Sequence, residues 1–442
     1  YLGDGIAECL INTFARIPKL RVVPRGTAFR YKGREFDAQT AGRELDTRLL
    51  VTGRVIERGD RLSVQVELVD AIENKQLWGE RFNRRMADIF EVEEEIARQV
   101  GERLRARLAG DETGRLGRRH TDNSEAYQLY LKGRFQWAKR TAEGLLRSVE
   151  HFEQALAADP EYALASGGMS EAYSVLAWYG VIPPREAGRR SKAAALRAVH
   201  LAPDLPETQV ALGTALIVCD RDWAGAGAAF RRALEINPSC WESHDHYALL
   251  YLCSQGRVDE AIAGIRRALE FDPLSVFLHH HAAWVYIQAR RYEDAIEQCR
   301  RALELDPNYG LAHYWFGLAS YHRGEIPQAR ERIETAQRLM PGNPFAPAVL
   351  VACDAAEGRP ERARAYLEEA QRPGREGYIE AYALAWIHVA LGESDAAFRL
   401  LEKALDEFSG WCTTWLKNDP ALDPLRKDVR FPALLARAGL AN

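Results

Sequence analysis

The sequence predicts an α/β amino-terminal domain followed by a long all-α array of stacked helical hairpins, and three observations carry that prediction. Alanines recur in pairs seven apart, at 226/233, 261/268, 295/302, 329/336, 363/370 and 397/404, with a step of 35 residues once and 34 thereafter. Pro238, Pro273, Pro307 and Pro341 each follow the second alanine of a pair at a constant distance. Well before the repeats, Leu62, Val64, Val66 and Leu68 alternate with Ser63, Gln65 and Glu67, the period of a half-buried strand.

The first 110 residues read as mixed α/β. In DGIAECLINTFARIP, Ile6, Leu10, Phe14 and Ile17 make one helical stripe, with Asp4 as the expected N-cap and Pro18 as terminator. LRVVP (20–24) is expected as a short strand and DAQTAGREL (37–45) as a short helix. RLLVTGRVIERGDRLSVQVELVD reads as a hairpin around Gly59-Asp60, and QLWGERF adds a third strand. A long helix is expected from Asp88, which with Glu91 resembles a capping box. Its buried stripe is Ile89, Val92, Ile96, Val100, Leu104 and Leu108. Residues 111–123 are polar and aperiodic, and are expected to be a linker.

Within the repeats, two alanines seven apart share one side of a helix and let a partner helix approach closely. Each proline then ends the second helix, because it lacks an N–H and pushes the preceding residue out of the α region. Gly256 and Gly324 mark the turn between the two helices, with Arg290-Arg291 at the same place in the intervening copy. Ala283 and Gly317 are small residues of the first helix placed to receive the alanine pair. Earlier copies are less regular: one ends at Pro160 and the next, after 43 residues, at Pro203.

Ala283, Tyr286, Ala295, Ala302 and Pro307, with Ala226, Phe230, Ala233 and Pro238 in an earlier copy, resemble the tetratricopeptide repeat pattern. The resemblance spans roughly residues 124–408 and implies a right-handed superhelical solenoid of about eight hairpins. Residues 409–442 depart from the period, with Pro420, Pro424 and Pro432, and are expected to cap its end. The first 110 residues, through YLGDGIAECLINTFARIPKLRVV, GRELDTRLLVTGRV and LWGERFNRRMADIFEVEEEIA, resemble the TolB-like domain found in bacterial signalling proteins. That resemblance implies one more strand before Tyr1, and a segment upstream of this non-Met start is expected.

Acidic residues outnumber basic ones, 63 to 59, which argues against a broad phosphate-binding surface and hence against direct nucleic-acid binding. The seven cysteines are scattered and never form CxxC, so neither a disulfide framework nor a zinc ribbon is expected. With no membrane-length apolar run and no signal peptide, the expectation is a cytoplasmic protein without membrane contact. Its oligomeric state is left open.

No catalytic constellation emerges, and no cofactor or metal site is expected. GAGAAF (225–230) lacks the last glycine and the preceding strand of a nucleotide-binding turn, and RGD (58–60) is the hairpin turn. His279, His280 and His281 point about 100° apart on one helix and cannot converge on one ion. The arginine pairs 231/232, 266/267 and 300/301 are expected to form a solvated stripe. The tetratricopeptide resemblance implies instead a concave groove lined by Ser243, His246, Leu250, Phe277, His280, Trp284, Leu311, Tyr314, Leu318, Tyr321, Tyr382 and Trp386. Such a surface implies a non-enzymatic scaffold that binds an apolar peptide or protein segment. The alternative is the sensor half of a larger protein with an upstream nucleotide cyclase, serine/threonine kinase or winged-helix domain.

Overall fold

The computed structural model describes residues 2–14, 20, 22–23, 25–33, 37–108, 120–341, 345–370, 372 and 380–441. Ile17, Pro18 and most of the expected linker lie outside the described residues, as does the side chain of Leu108. The chain divides into two compact units, Tyr1–Phe135 with Glu150–Ala165 and Gln136–Val149 with Ser166–Asn442.

In the first unit, β1 (Leu49–Arg58), β2 (Arg61–Asp70) and β3 (Lys75–Arg85) form an antiparallel sheet in that order, with Arg58 opposite Arg61 across the Gly59-Asp60 turn. The alternation of β2 sends Leu62, Val64, Val66 and Leu68 into the core. Helices α1 (Leu2–Phe14) and α4 (Ile89–Leu108) supply the opposing stripes, Leu2, Ile6, Leu10 and Phe14 against Ile89, Val92, Ile96, Val100 and Leu104. Two short helices, α2 (Arg25–Ala28) and α3 (Ala38–Glu44), lie between α1 and the sheet in sequence, and Asp37 caps α3 by accepting the Thr40 N–H at 2.8 Å.

Three local expectations are corrected. Leu20, Val22 and Val23 form no strand; Leu20 and Val22 pack on the core as irregular chain. Asp4 lies inside the first turn of α1, where its carboxylate pairs with Lys32 at 2.6 Å, so its role is a salt bridge and not the N-cap. Asp88 accepts the backbone N–H of Arg85 at 3.3 Å, so the box at the entry to α4 is built one turn earlier than Asp88/Glu91.

The remaining helices are α5 (Ser124–Ala138), α6 (Ala142–Ala158), α7 (Ala163–Trp178), α8 (Pro184–Leu201), α9 (Pro206–Asp220), α10 (Trp223–Ile236), α11 (Trp241–His246), α12 (Val258–Phe271), α13 (Val276–Gln288), α14 (Tyr292–Leu305), α15 (Gly310–His322), α16 (Ile326–Leu339), α17 (Ala346–Ala356), α18 (Pro360–Ala370), α19 (Ala381–Ala390), α20 (Ser394–Asp406), α21 (Gly410–Trp415) and α22 (Arg430–Arg437). From α9 to α20 each helix packs on its neighbours in sequence. The paired alanines do what their size permits: all are fully buried except Ala370. Gly317 shows why its position must be small, since a Cβ there would stand 2.7 Å from Ile333 Cγ1 and 3.0 Å from the Ala329 carbonyl.

Helices α10, α12, α14 and α16 each stop two residues before their proline. The 35-residue step has a visible cause. Between Ala226 and Ala261, α11 continues into a π-helical turn over Tyr247–Leu252, and a π turn takes up an extra residue without breaking the helix. The arginine pairs stay on the outer face, with Arg266 Nε donating to the Tyr286 hydroxyl at 3.0 Å and Arg301 paired to Glu297 at 3.2 Å.

Candidate functional site

The twelve residues implied for a groove divide between two environments, and the carboxy-terminal segment occupies two of those that lie outside the open space. That segment runs back along the turns of successive hairpins. Arg221, in the left-handed region at φ 54°, donates to the Leu405 carbonyl and to Thr413 Oγ1. Asn418 donates to the Cys253 carbonyl beside Gly256. Arg290, also left-handed at φ 59°, donates to the Asn418 carbonyl at 3.2 Å and pairs with Asp423 at 2.6 Å. Arg221 and Arg290 occupy the turn position that is glycine at 256 and 324, so two repeats trade conformational ease for a side chain that holds the returning segment.

On the inner side of the hairpins, α21 places Trp411 and Trp415 against Trp284 and Trp315. The Trp284 and Trp411 rings stack at 5.1 Å, and Trp315 and Trp415 at 5.6 Å. Gly410 is needed where the chain passes Trp178, because a Cβ there would lie 2.1 Å from the indole nitrogen. Further along, the wholly buried Asp419 accepts from Tyr382 Oη, from Trp386 Nε1 at 2.7 Å and from the Ala421 N–H at 2.8 Å. Tyr382 and Trp386 are thus occupied within the fold, and Ser243 and Leu318 are buried outside the open space. Tyr321 is part-buried and packs edge-on against His322.

The other seven, His246, Leu250, Phe277, His280, Trp284, Leu311 and Tyr314, come together around a chamber of about 740 Å³. They arise from the first helices of three consecutive hairpins, and the chamber is completed by Trp137, Trp178, Tyr309, Phe345 and Trp411. Phe277, Leu311 and His246 remain part-exposed there. Charges of both signs stand in its wall, on Lys139, Arg140, Glu143, Glu171 and Asp306. The Arg140 guanidinium lies over Trp137 at 3.6 Å and over Phe277 at 4.9 Å.

The histidine run separates by role, as helical geometry requires. His279 leaves the chamber, its Nε2 2.9 Å from the Pro273 carbonyl and its Nδ1 2.7 Å from the Gln298 side chain. His244 and His313 make the same bond to Pro238 and Pro307, so a histidine six residues after the proline ties the start of one helix to the end of the preceding one. His280 Nδ1 meets the Tyr309 hydroxyl at 3.0 Å, and His281 Nδ1 meets both oxygens of Asp245 at 2.9 Å. Burial disfavours net charge there: it pushes the Asp245 carboxyl up to about 7 and holds the His280 and His281 imidazoles well below their usual value. Among the described residues no group of three or more potential ligands is placed to hold a metal ion, and no helix is long and apolar enough to cross a membrane. Sequence reasoning missed Asp245, Arg140 and the tryptophans of α21: Asp245 stands seven residues after its proline, as His280 and Tyr314 do, and a uniform 34-residue step pointed to His246 instead, while Arg140 and the tryptophans lie outside the regular copies.

The tetratricopeptide repeat family matches residues 220–276 and 281–344, so repeats of that family are present over this stretch. A protein of Rhizobium meliloti (strain 1021) named "Putative adenylate cyclase 3" is 30% identical over 170 residues, 38% of this chain and 29% of its own length. The chain therefore spans less than a third of that relative. Among solved structures, pilF of Pseudomonas aeruginosa is 18% identical, over 47% of this chain and 93% of that one, with a TM-score of 0.35. A human IFIT1 dimer with m7Gppp-AAAA is 17% identical, over 72% and 80%, with a TM-score of 0.45.

Proposed function

We propose that the repeats form a non-catalytic interaction module, the scaffold or regulatory part of a signalling protein, which holds a peptide or protein segment at the chamber. The observation that supports this most directly is that first-helix side chains of three consecutive hairpins, Phe277, Leu311 and His246 among them, reach one open aromatic space. Rigid aromatics bury much area for little loss of rotamer entropy, which suits them to anchor an apolar side chain of a partner. Because Trp411 and Trp415 fill the neighbouring ground, the partner inserts an anchor rather than lying along the whole inner face. In this reading residues 1–110 form a TolB-like domain and 124–408 the repeat array, supported by the element order and the alanine–proline register.

Panning the purified chain against a displayed random-peptide library tests the proposal. Selected peptides are expected to share an apolar anchor and to lose binding at least tenfold on Leu311→Asp or Phe277→Ala. Peptides that bind both variants as well as the native chain would refute the assignment. A second reading, the sensor half of a larger enzyme or regulator, is favoured by the relative named for adenylate cyclase, most of whose length lies beyond the match. Sequencing the gene upstream of the Tyr1 codon tests it, and a cyclase, kinase or winged-helix domain there is the expected result.

A further inference from the structure

The chamber has a polar side that peptide anchoring does not use. His246 Nδ1 lies 3.0 Å from the carbonyl oxygen of Glu242 and 3.4 Å from Asp245 Oδ2. Both neighbours only accept when Asp245 is ionised, and the carbonyl only accepts in any state, so Nδ1 carries the proton. In the neutral ring this leaves Nε2 as a bare acceptor. His281 is held the same way only while Asp245 is ionised, its Nδ1 then donating to the carboxylate, so His246 is the acceptor fixed in every state. Neither Nε2 has a hydrogen-bond partner among the described residues, and both rings line the chamber while Glu242 and Asp245 do not, so the Nε2 edges are the ones left to face it.

The rest of the wall fits a small ligand. The volume falls within the range of roughly 300–1,000 Å³ usual for small-molecule sites, and such sites are mainly aromatic with a few fixed polar groups. Arg140 and Lys139 stand in the wall beside Glu143, Glu171 and Asp306, no strong excess of either sign, while Arg140, the wall charge that acts on Asp245, His280 and His281, disfavours a cation at that side. We infer that the chamber binds a small, uncharged aromatic molecule bearing a hydroxyl group, whose O–H is accepted by His246 or His281 while its ring packs against Phe277 and Trp284. This ligand would make the repeats a small-molecule sensor, a role that goes beyond peptide capture and does not rest on it.

Three probes of one ring size isolate the hydroxyl: 2-naphthol, 2-methoxynaphthalene and naphthalene, each titrated into the purified chain by tryptophan-fluorescence quenching and calorimetry. The expected result is saturable binding of one 2-naphthol per chain, roughly three- to tenfold tighter than 2-methoxynaphthalene, the margin one hydrogen bond supplies. His246→Phe and, separately, His281→Phe should reduce that margin without weakening naphthalene, and Leu311→Trp should block all three probes. Because His281→Phe removes the closer of the two imidazoles beside the buried Asp245, His246→Phe is the variant that decides if the other fails to fold. The inference is overturned by equal affinity for naphthol and its methyl ether, by an absence of saturable binding, or by Leu311→Trp binding unchanged. Displayed peptides that bind a chain which ignores 2-naphthol would leave the interaction module standing and remove the sensor, and the reverse pattern would do the opposite.

Discussion

At the scale of single residues, buried carboxyl groups set a pH dependence with a definite sign. Burial pushes Asp419 up to about 6 despite its three donors, so the native chain holds a proton there that the unfolded chain releases near 4. Stability from this group is fully present below about 4 and is lost as pH rises through about 6, a change of up to about 3 kcal/mol. Asp419→Asn removes the titration. Between pH 4 and 7 the native urea midpoint should therefore fall relative to that of the variant, and parallel curves for the two proteins would refute this. Nothing around Asp419 in the sequence marks it as buried, since it sits among prolines in an aperiodic stretch. The alanine pairs, by contrast, are legible because burial at a helix interface leaves its mark at a fixed spacing. His244, His279 and His313 were equally periodic, and their bond to the carbonyl six residues back could have been read from the spacing to proline.

At the scale of the helical hairpin, the turn between the two helices is the point where sequence choice has the sharpest consequence. Gly324 adopts φ 82° with nothing within 4 Å of a would-be Cβ, so Gly324→Ala meets only backbone strain and should cost about 1 kcal/mol. Arg290 takes the same left-handed turn at a cost of roughly 1 kcal/mol. Its charge-assisted bonds to the Asn418 carbonyl and Asp423 oppose that cost, the exposed ion pair contributing up to about 1 kcal/mol and the carbonyl bond adding to it. Arg290→Gly is therefore expected to lower the urea midpoint even though glycine suits the backbone; a stabilised variant would show that the segment beyond 409 contributes nothing at this turn. Hairpin boundaries were readable because proline and glycine act locally. The π turn over Tyr247–Leu252 was visible only as a 35 among 34s, and no strand forms at Leu20, Val22 and Val23 because a strand needs a neighbour to pair with, which no local pattern supplies.

At the scale of the whole molecule, the repeat-bearing unit departs from the behaviour expected of a linear array. Repeats that touch only their neighbours unfold in pieces, since stability is a sum of local and nearest-neighbour contributions. Here Trp411 Nε1 donates to the Trp178 carbonyl 233 residues away and Trp223 Nε1 to the Ala438 carbonyl 215 residues away. The same segment reaches Arg221, Cys253 and Arg290 on three further turns. Contacts of this span couple the first hairpins of the unit to the last, so opening any one of them exposes tryptophan surface that several others share. Hydrogen exchange followed by mass spectrometry should then show α9 to α20 opening at one common free energy in the native chain. Trp411→Ala, which removes the stacking on Trp284 and the bond to Trp178 but leaves every repeat intact, should split that opening into at least two classes, with the earlier hairpins exchanging faster. Graded protection along the native repeats, from one end to the other, would mean that the returning segment merely rests on the hairpins, and the distance between coupled residues would then carry no energetic weight.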